Sequence, residues 1–120
     1  MIKAILKLDN SVKVQIVKLH WQDTLAIRQE VLWPDKPREF CHVEGDETAW
    51  HYGGYIKDAS IEKTLVCVAS IYPDSNNIDS NTRHASKARL RKFATLSDYQ
   101  NQGIGSLVLK HIIEELKKTN

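Results

Sequence analysis

Gln100-Asn101-Gln102-Gly103-Ile104-Gly105-Ser106 decides how this chain is read. The stretch sits between a strand-like run, Ala88 to Leu96, and an apolar-periodic run, Gln102 to Lys118. A helix start leaves backbone N–H groups unpaired and carries a partial positive charge. Glycines there let the backbone come close to a ligand, and phosphate is the natural guest. Two common phosphate loops fit poorly. A P-loop needs Gly-Lys-Ser/Thr, whereas Gly105 is followed by Ser106-Leu107. A dinucleotide fingerprint needs a third glycine where Val108 stands.

Outward from the loop, the flanking elements are readable. Ile104, Leu107, Val108, Ile112 and Leu116 line one helix face, widened by Leu109 and Ile113. Lys117 and Lys118 suit the C-terminal end, and Glu114 and Lys118 are spaced to pair. In Ala88–Leu96, Leu90 and Phe93 are out of phase for a strict strand, which a bulge reconciles. Lys63 to Tyr72 reads as a buried strand, and Trp50 to Ile56 as a strand weakened by Gly53-Gly54. Gln22 to Trp33 reads as a helix served by Asp23 at its start and stopped by Pro34. Ile2–Leu8 and Val12–Ile16 alternate across Asp9-Asn10-Ser11 and fit a hairpin. Arg38–Glu47 fits a short helix or a loop equally, and 73–87 is expected to be an exposed, flexible loop.

Composition excludes several classes. The chain of 120 residues suits one domain, and 42% hydrophobic residues argue against global disorder. A net charge of +2 does not by itself point to nucleic acid. Arg83, His84, Lys87, Arg89, Arg91 and Lys92 cluster without interleaved aromatics, so a solvated basic face is the expectation. No apolar run approaches the roughly 20 residues that span a bilayer, so no membrane is expected. The alternating, lysine-broken start is not that of a signal peptide. Cys41 and Cys67 are expected to be reduced thiols of a cytoplasmic protein. The five histidines show no metal-ligand spacing, and no metal is expected.

The pattern Gln-x-x-Gly-x-Gly after a strand and opening an apolar helix resembles the acetyl-CoA pyrophosphate loop of the GNAT acetyltransferase superfamily. Leu90–Leu96 resembles that family's fourth strand, and Tyr99–Leu109 its loop and third helix. The resemblance implies a mixed α/β (α+β) fold, mostly antiparallel, with flanking helices. It implies acetyl-CoA as co-substrate and transfer of an acetyl group to an amine, carried by a small molecule or peptide. Amides from Gln102, Gly103, Ile104, Gly105 and Ser106 would cradle the pyrophosphate, with Gln100 and Asn101 shaping the loop. The backbone of Phe93, Ala94 and Thr95 would meet the pantetheine arm, and an amide near Phe93 would polarise the thioester carbonyl. His51 and Glu47, with Glu44, are the candidates for deprotonating the amine. In the family, further strands follow the third helix; here 1–120 reads as one domain cut short of them. A domain so cut could instead be a remnant that binds CoA or self-associates without catalysis. The 88–96 strand would then be an open edge, which implies a homodimer through it.

Overall fold

The computed structural model describes residues 4–5, 13–57, 63–73, 78–79, 84–85 and 88–119. In chain order the strands are β1 (Ala4–Ile5), β2 (Lys13–Leu19), β3 (Trp50–Lys57), β4 (Thr64–Pro73), β5 (Ile78–Asp79), β6 (His84–Ala85) and β7 (Ala88–Thr95). One antiparallel sheet runs β1-β2-β3-β4-β7. The hairpin reading holds where it is described: Ala4 faces Val14 and Ile5 faces Lys13. Alternation along β2 buries Val14 and Ile16 and exposes Lys13 and Lys18.

β4 is apolar almost throughout because the sheet is covered on both faces. Cys67, Ala69 and Ile71 join Ile104, Val108 and Ile112 of α2 (Ile104–Thr119) in one cluster. Val68 joins Ile27 and Ala94 in a second. Two irregularities adjust the phase. Gly54 faces Cys67 while Tyr55 faces Leu65, so Val66 is an extra residue. On the other side, Val68 faces Ala94 and Ser70 faces Arg91, which sets Lys92 and Phe93 both against Ala69. Lys92 has φ 55°. This is the bulge that the Leu90–Phe93 phase requires.

Gly53-Gly54 does not weaken β3; it lets neighbours close in. A Cβ at Gly54 would lie 3.0 Å from Val108 Cγ2, so α2 packs directly on bare backbone.

The segment expected as a single helix over Gln22–Trp33 is composite. A 3-10 turn (Trp21–Thr24) leads into α1 (Leu25–Ile27) and then a π turn (Arg28–Leu32). His20 is its N-cap: Nδ1 accepts from the Gln22 N–H at 3.3 Å, while Asp23 accepts from the His20 N–H at 3.2 Å. Asp23 therefore serves the start as the returning half of a capping box. Another 3-10 turn covers Arg38–Cys41, within the stretch that fitted a short helix or a loop equally. In α2, Lys118 pairs with Glu115 at 3.9 Å rather than with Glu114, an exposed contact that contributes little. Within 73–87, Pro73 is the last residue of β4, and β5 and β6 form a short antiparallel ladder; the rest of that expectation lies outside the described residues.

Candidate active site

After β7, a 3-10 turn (Ser97–Tyr99) leads into the loop. Asn101 and Gly103 take φ 65° and 85°, reversing the chain so that α2 starts beside the strand it has just left. The Leu107 N–H donates to the Gly103 carbonyl at 3.1 Å. The Ile104, Gly105 and Ser106 amides are first-turn groups with no acceptor within the helix. The two glycines have different tasks. A Cβ at Gly103 would meet nothing within 4 Å, so open space lies in front of it. A Cβ at Gly105 would lie 3.1 Å from Phe93 Cζ, so this glycine lets the first helical turn press against β7.

Between β7 and α2 lies a cleft of about 410 Å³. The candidates Phe93, Thr95, Gln100, Asn101, Gly103, Gly105 and Ser106 all line it, together with Tyr99 and Leu109. Three candidates do not. Ala94 is buried with Ile27 and Val68 on the opposite face. Ile104 is in the core, and Gln102 Nε2 donates to the Asp98 carbonyl at 3.2 Å. Among the described residues no carboxylate lines the cleft, and Gly103, Gly105 and Ser106 at the start of α2 do, so the lining suits a phosphate group. Leu109 escaped notice because its spacing reads as a wider core face.

The candidates for proton removal are elsewhere. A second cleft of about 190 Å³ is lined by Leu19, His20, Trp21, Asp46, Glu47, Ala49 and His51. None of these residues lines the cleft of Phe93. His51 is buried. Its Nε2 lies 2.8 Å from the Asp46 carbonyl, which can only accept, so Nε2 carries the proton. Nδ1 then accepts from the Ser70 hydroxyl at 2.6 Å. Burial holds the His51 pKa below its ordinary value, which favours the neutral ring, and both nitrogens are engaged. Glu47 pairs with His42 at 2.8 Å, and Glu44 is exposed.

Beside His51 lies a buried ionic network. Arg28 and Asp46 are both fully buried and meet side by side, Nη1 to Oδ2 at 2.7 Å and Nη2 to Oδ1 at 3.0 Å. Arg28 also donates to the Cys41 carbonyl at 2.9 Å, to Ser70 Oγ at 3.0 Å and to the Tyr72 hydroxyl at 3.1 Å. The Tyr72 hydroxyl and the Val43 N–H donate to Asp46 in turn. Burial alone would raise the Asp46 pKa, but the hydrogen bonds from Arg28, Tyr72 and Val43 outweigh it and hold the carboxyl below its ordinary value. Burial, and then its bond to Asp46, pushes the Tyr72 hydroxyl up to about 12. The one trace in the sequence is that Arg28 falls on the helix face of Thr24, Ile27 and Val31, where a charge needs a buried partner.

Comparison with known proteins points to a family. The model of the acetyltransferase (GNAT) family matches residues 14–120. An uncharacterized N-acetyltransferase, YitI of Bacillus subtilis (strain 168), is 31% identical over 108 residues, covering 88% of this chain and 67% of the relative. Among the described residues, no helix is long and apolar enough to cross a membrane. A mixed sheet-and-helix fold, a bulged β7 beside a glycine-opened helix start, and a family match over nearly the whole described chain converge: this chain belongs to the GNAT acetyltransferase family.

Proposed function

We propose that this chain transfers an acetyl group from acetyl-CoA to the amine of a small molecule or peptide. The observation that carries the reading is the open space before Gly103 at the start of α2, flanked by the cleft against β7. The Ile104, Gly105 and Ser106 amides would hold the pyrophosphate. The outer edge of β7 at Phe93 and Thr95 would align the pantetheine arm, and a backbone amide at Phe93 would polarise the thioester carbonyl. The amine nitrogen attacks that carbonyl carbon, the C–S bond breaks, CoA leaves as its thiolate, and the amine loses a proton to water. Only an unprotonated amine can attack, and positioning it against the carbonyl supplies much of the acceleration. With both His51 nitrogens engaged and Glu47 paired, the reading uses an acceptor that arrives unprotonated. The buried free thiols Cys41 and Cys67 suit a cytoplasmic setting.

A second reading is that the chain binds CoA, or self-associates, without transfer. It is favoured by the separation of His51 and Glu47 from the Phe93 cleft. Calorimetry with acetyl-CoA tests the shared part: no heat and no thermal shift at millimolar ligand rejects both cofactor readings. Thiol release with a panel of amines separates them, because only transfer frees CoA in proportion to amine consumed.

A further inference from the structure

The outer edge of β7 carries its own provisional partner. The Leu96 N–H donates to the Val66 carbonyl at 2.9 Å, on the β4 side. Backbone groups alternate sides along an antiparallel strand, so the Thr95 N–H and C=O point away from β4, to the edge that no described strand pairs. There the Thr95 carbonyl accepts from Gln100 Nε2 at 2.9 Å. The donor is a side-chain carboxamide, chemically a peptide group, standing where the N–H of an added strand would stand. Gln100 is exposed and lines the cleft, and its oxygen has no protein partner among the described residues. The Thr95 side chain is turned inward, its hydroxyl donating to Cys67 Sγ at 3.3 Å, so it does not compete for the edge.

We propose that the Gln100 carboxamide is an exchangeable stand-in for an amide of the acyl donor's arm, holding the Thr95 carbonyl in the free protein and yielding it to the ligand's N–H on binding. The proposal rests on the reading of this cleft as the acyl-donor site. One amide donor replaces another at the same carbonyl, so the exchange keeps the edge satisfied in both states. An unpaired carbonyl at a strand edge is a template for stray pairing, and the carboxamide blunts it until a ligand arrives.

The test compares two probes, CoA and adenosine 3′,5′-bisphosphate, which resembles the nucleotide end and lacks the amide arm. Calorimetry is run on the wild type, on Gln100→Ala and on Gln100→Met, which keeps the reach without the donor. With the competitor gone, both variants should bind CoA about three- to tenfold more tightly, the size of one exchanged neutral hydrogen bond. The bisphosphate should change less than about twofold, because it leaves the Thr95 carbonyl alone. In the wild type, the side-chain NH2 resonances of Gln100 should move with CoA and stay with the bisphosphate. CoA affinity unchanged or weakened in the variants, or NH2 resonances unmoved by CoA, overturns the exchange. If the wild type binds neither probe, the donor reading fails and the exchange with it; if it binds CoA and the variants bind no tighter, only the exchange fails.

Discussion

Replacing Asp46 with Ala should be among the most damaging single changes in this chain. It leaves the Arg28 guanidinium fully buried and facing no anion. It removes the acceptor of two Arg28 contacts, of the Tyr72 hydroxyl and of the Val43 N–H, and so loosens the turn from Val43 to Asp46. Breaking a buried pair by removing one partner costs about 3–5 kcal/mol. Against a total of roughly 5–15 kcal/mol, that is about a fifth of the stability at the least and, in a weakly stable fold, most of it. Urea melts followed by circular dichroism measure it directly, with Arg28→Met and the double variant closing a thermodynamic cycle. The double variant should be markedly more stable than Asp46→Ala alone, because it buries no orphan charge. The pH dependence has a definite sign. The Asp46 pKa is depressed in the fold, so its contribution is full above the ordinary carboxyl value of 3.8 and fades as pH falls through the lower folded value. The wild type should therefore lose stability below about pH 4 more steeply than the double variant. A loss under about 1 kcal/mol for Asp46→Ala, or a double variant no better than the single, would refute the account of the network.

Gly103→Leu should strain a backbone at φ 85° by about 1–2 kcal/mol and fill the space before the helix start. The fold should survive while CoA affinity drops about tenfold or more, and undiminished binding in calorimetry would move the site elsewhere. Gly54→Val should cost about 1–3 kcal/mol by overpacking against Val108, read as a lowered urea midpoint; an unchanged midpoint would mean that α2 yields freely. Cys41 and Cys67 are fully buried and burial raises both thiol pKa values, so neither should react with a disulfide reagent in the native protein at about pH 8, and both should react in denaturant. Rapid native labelling of either would contradict the packing. Sedimentation at micromolar concentration should give twice 13.7 kDa if copies pair along β7, and a stable monomer would count against that pairing.

What could be read in the sequence divides along physical lines. The α2 face was legible because Ile104, Val108 and Ile112 repeat at helical spacing and are all buried. The β7 bulge was legible because Leu90 and Phe93 break a period of two, and the register shifts between them. Most of the cleft was legible because the glycines, the helix start and the strand adjoin in the chain. The Arg28–Asp46 pair was not, because its partners come from the π turn, the 44–48 turn and β4, which only the tertiary fold brings together. The change of helix type within Trp21–Leu32 was not, because 3-10, α and π turns share nearly the same composition. The short ladder of β5 and β6 was not, because two-residue strands in an Asp- and Asn-rich stretch carry no periodicity.

The extra residue in β7 makes the strand two rulers joined at Lys92. From Ala94 onward, pairing with β4 is counted from one end; up to Arg91, it is counted from the other. The segment that borders the cleft is thus geared separately from the segment that continues the sheet. Substitutions in Ala88–Arg91 can alter the outer sheet without advancing Phe93 and Thr95 by a residue. Deleting Lys92 would do the opposite: it would lock the halves into one count and turn one of them over, exchanging the side chains that meet α2 with those that meet α1.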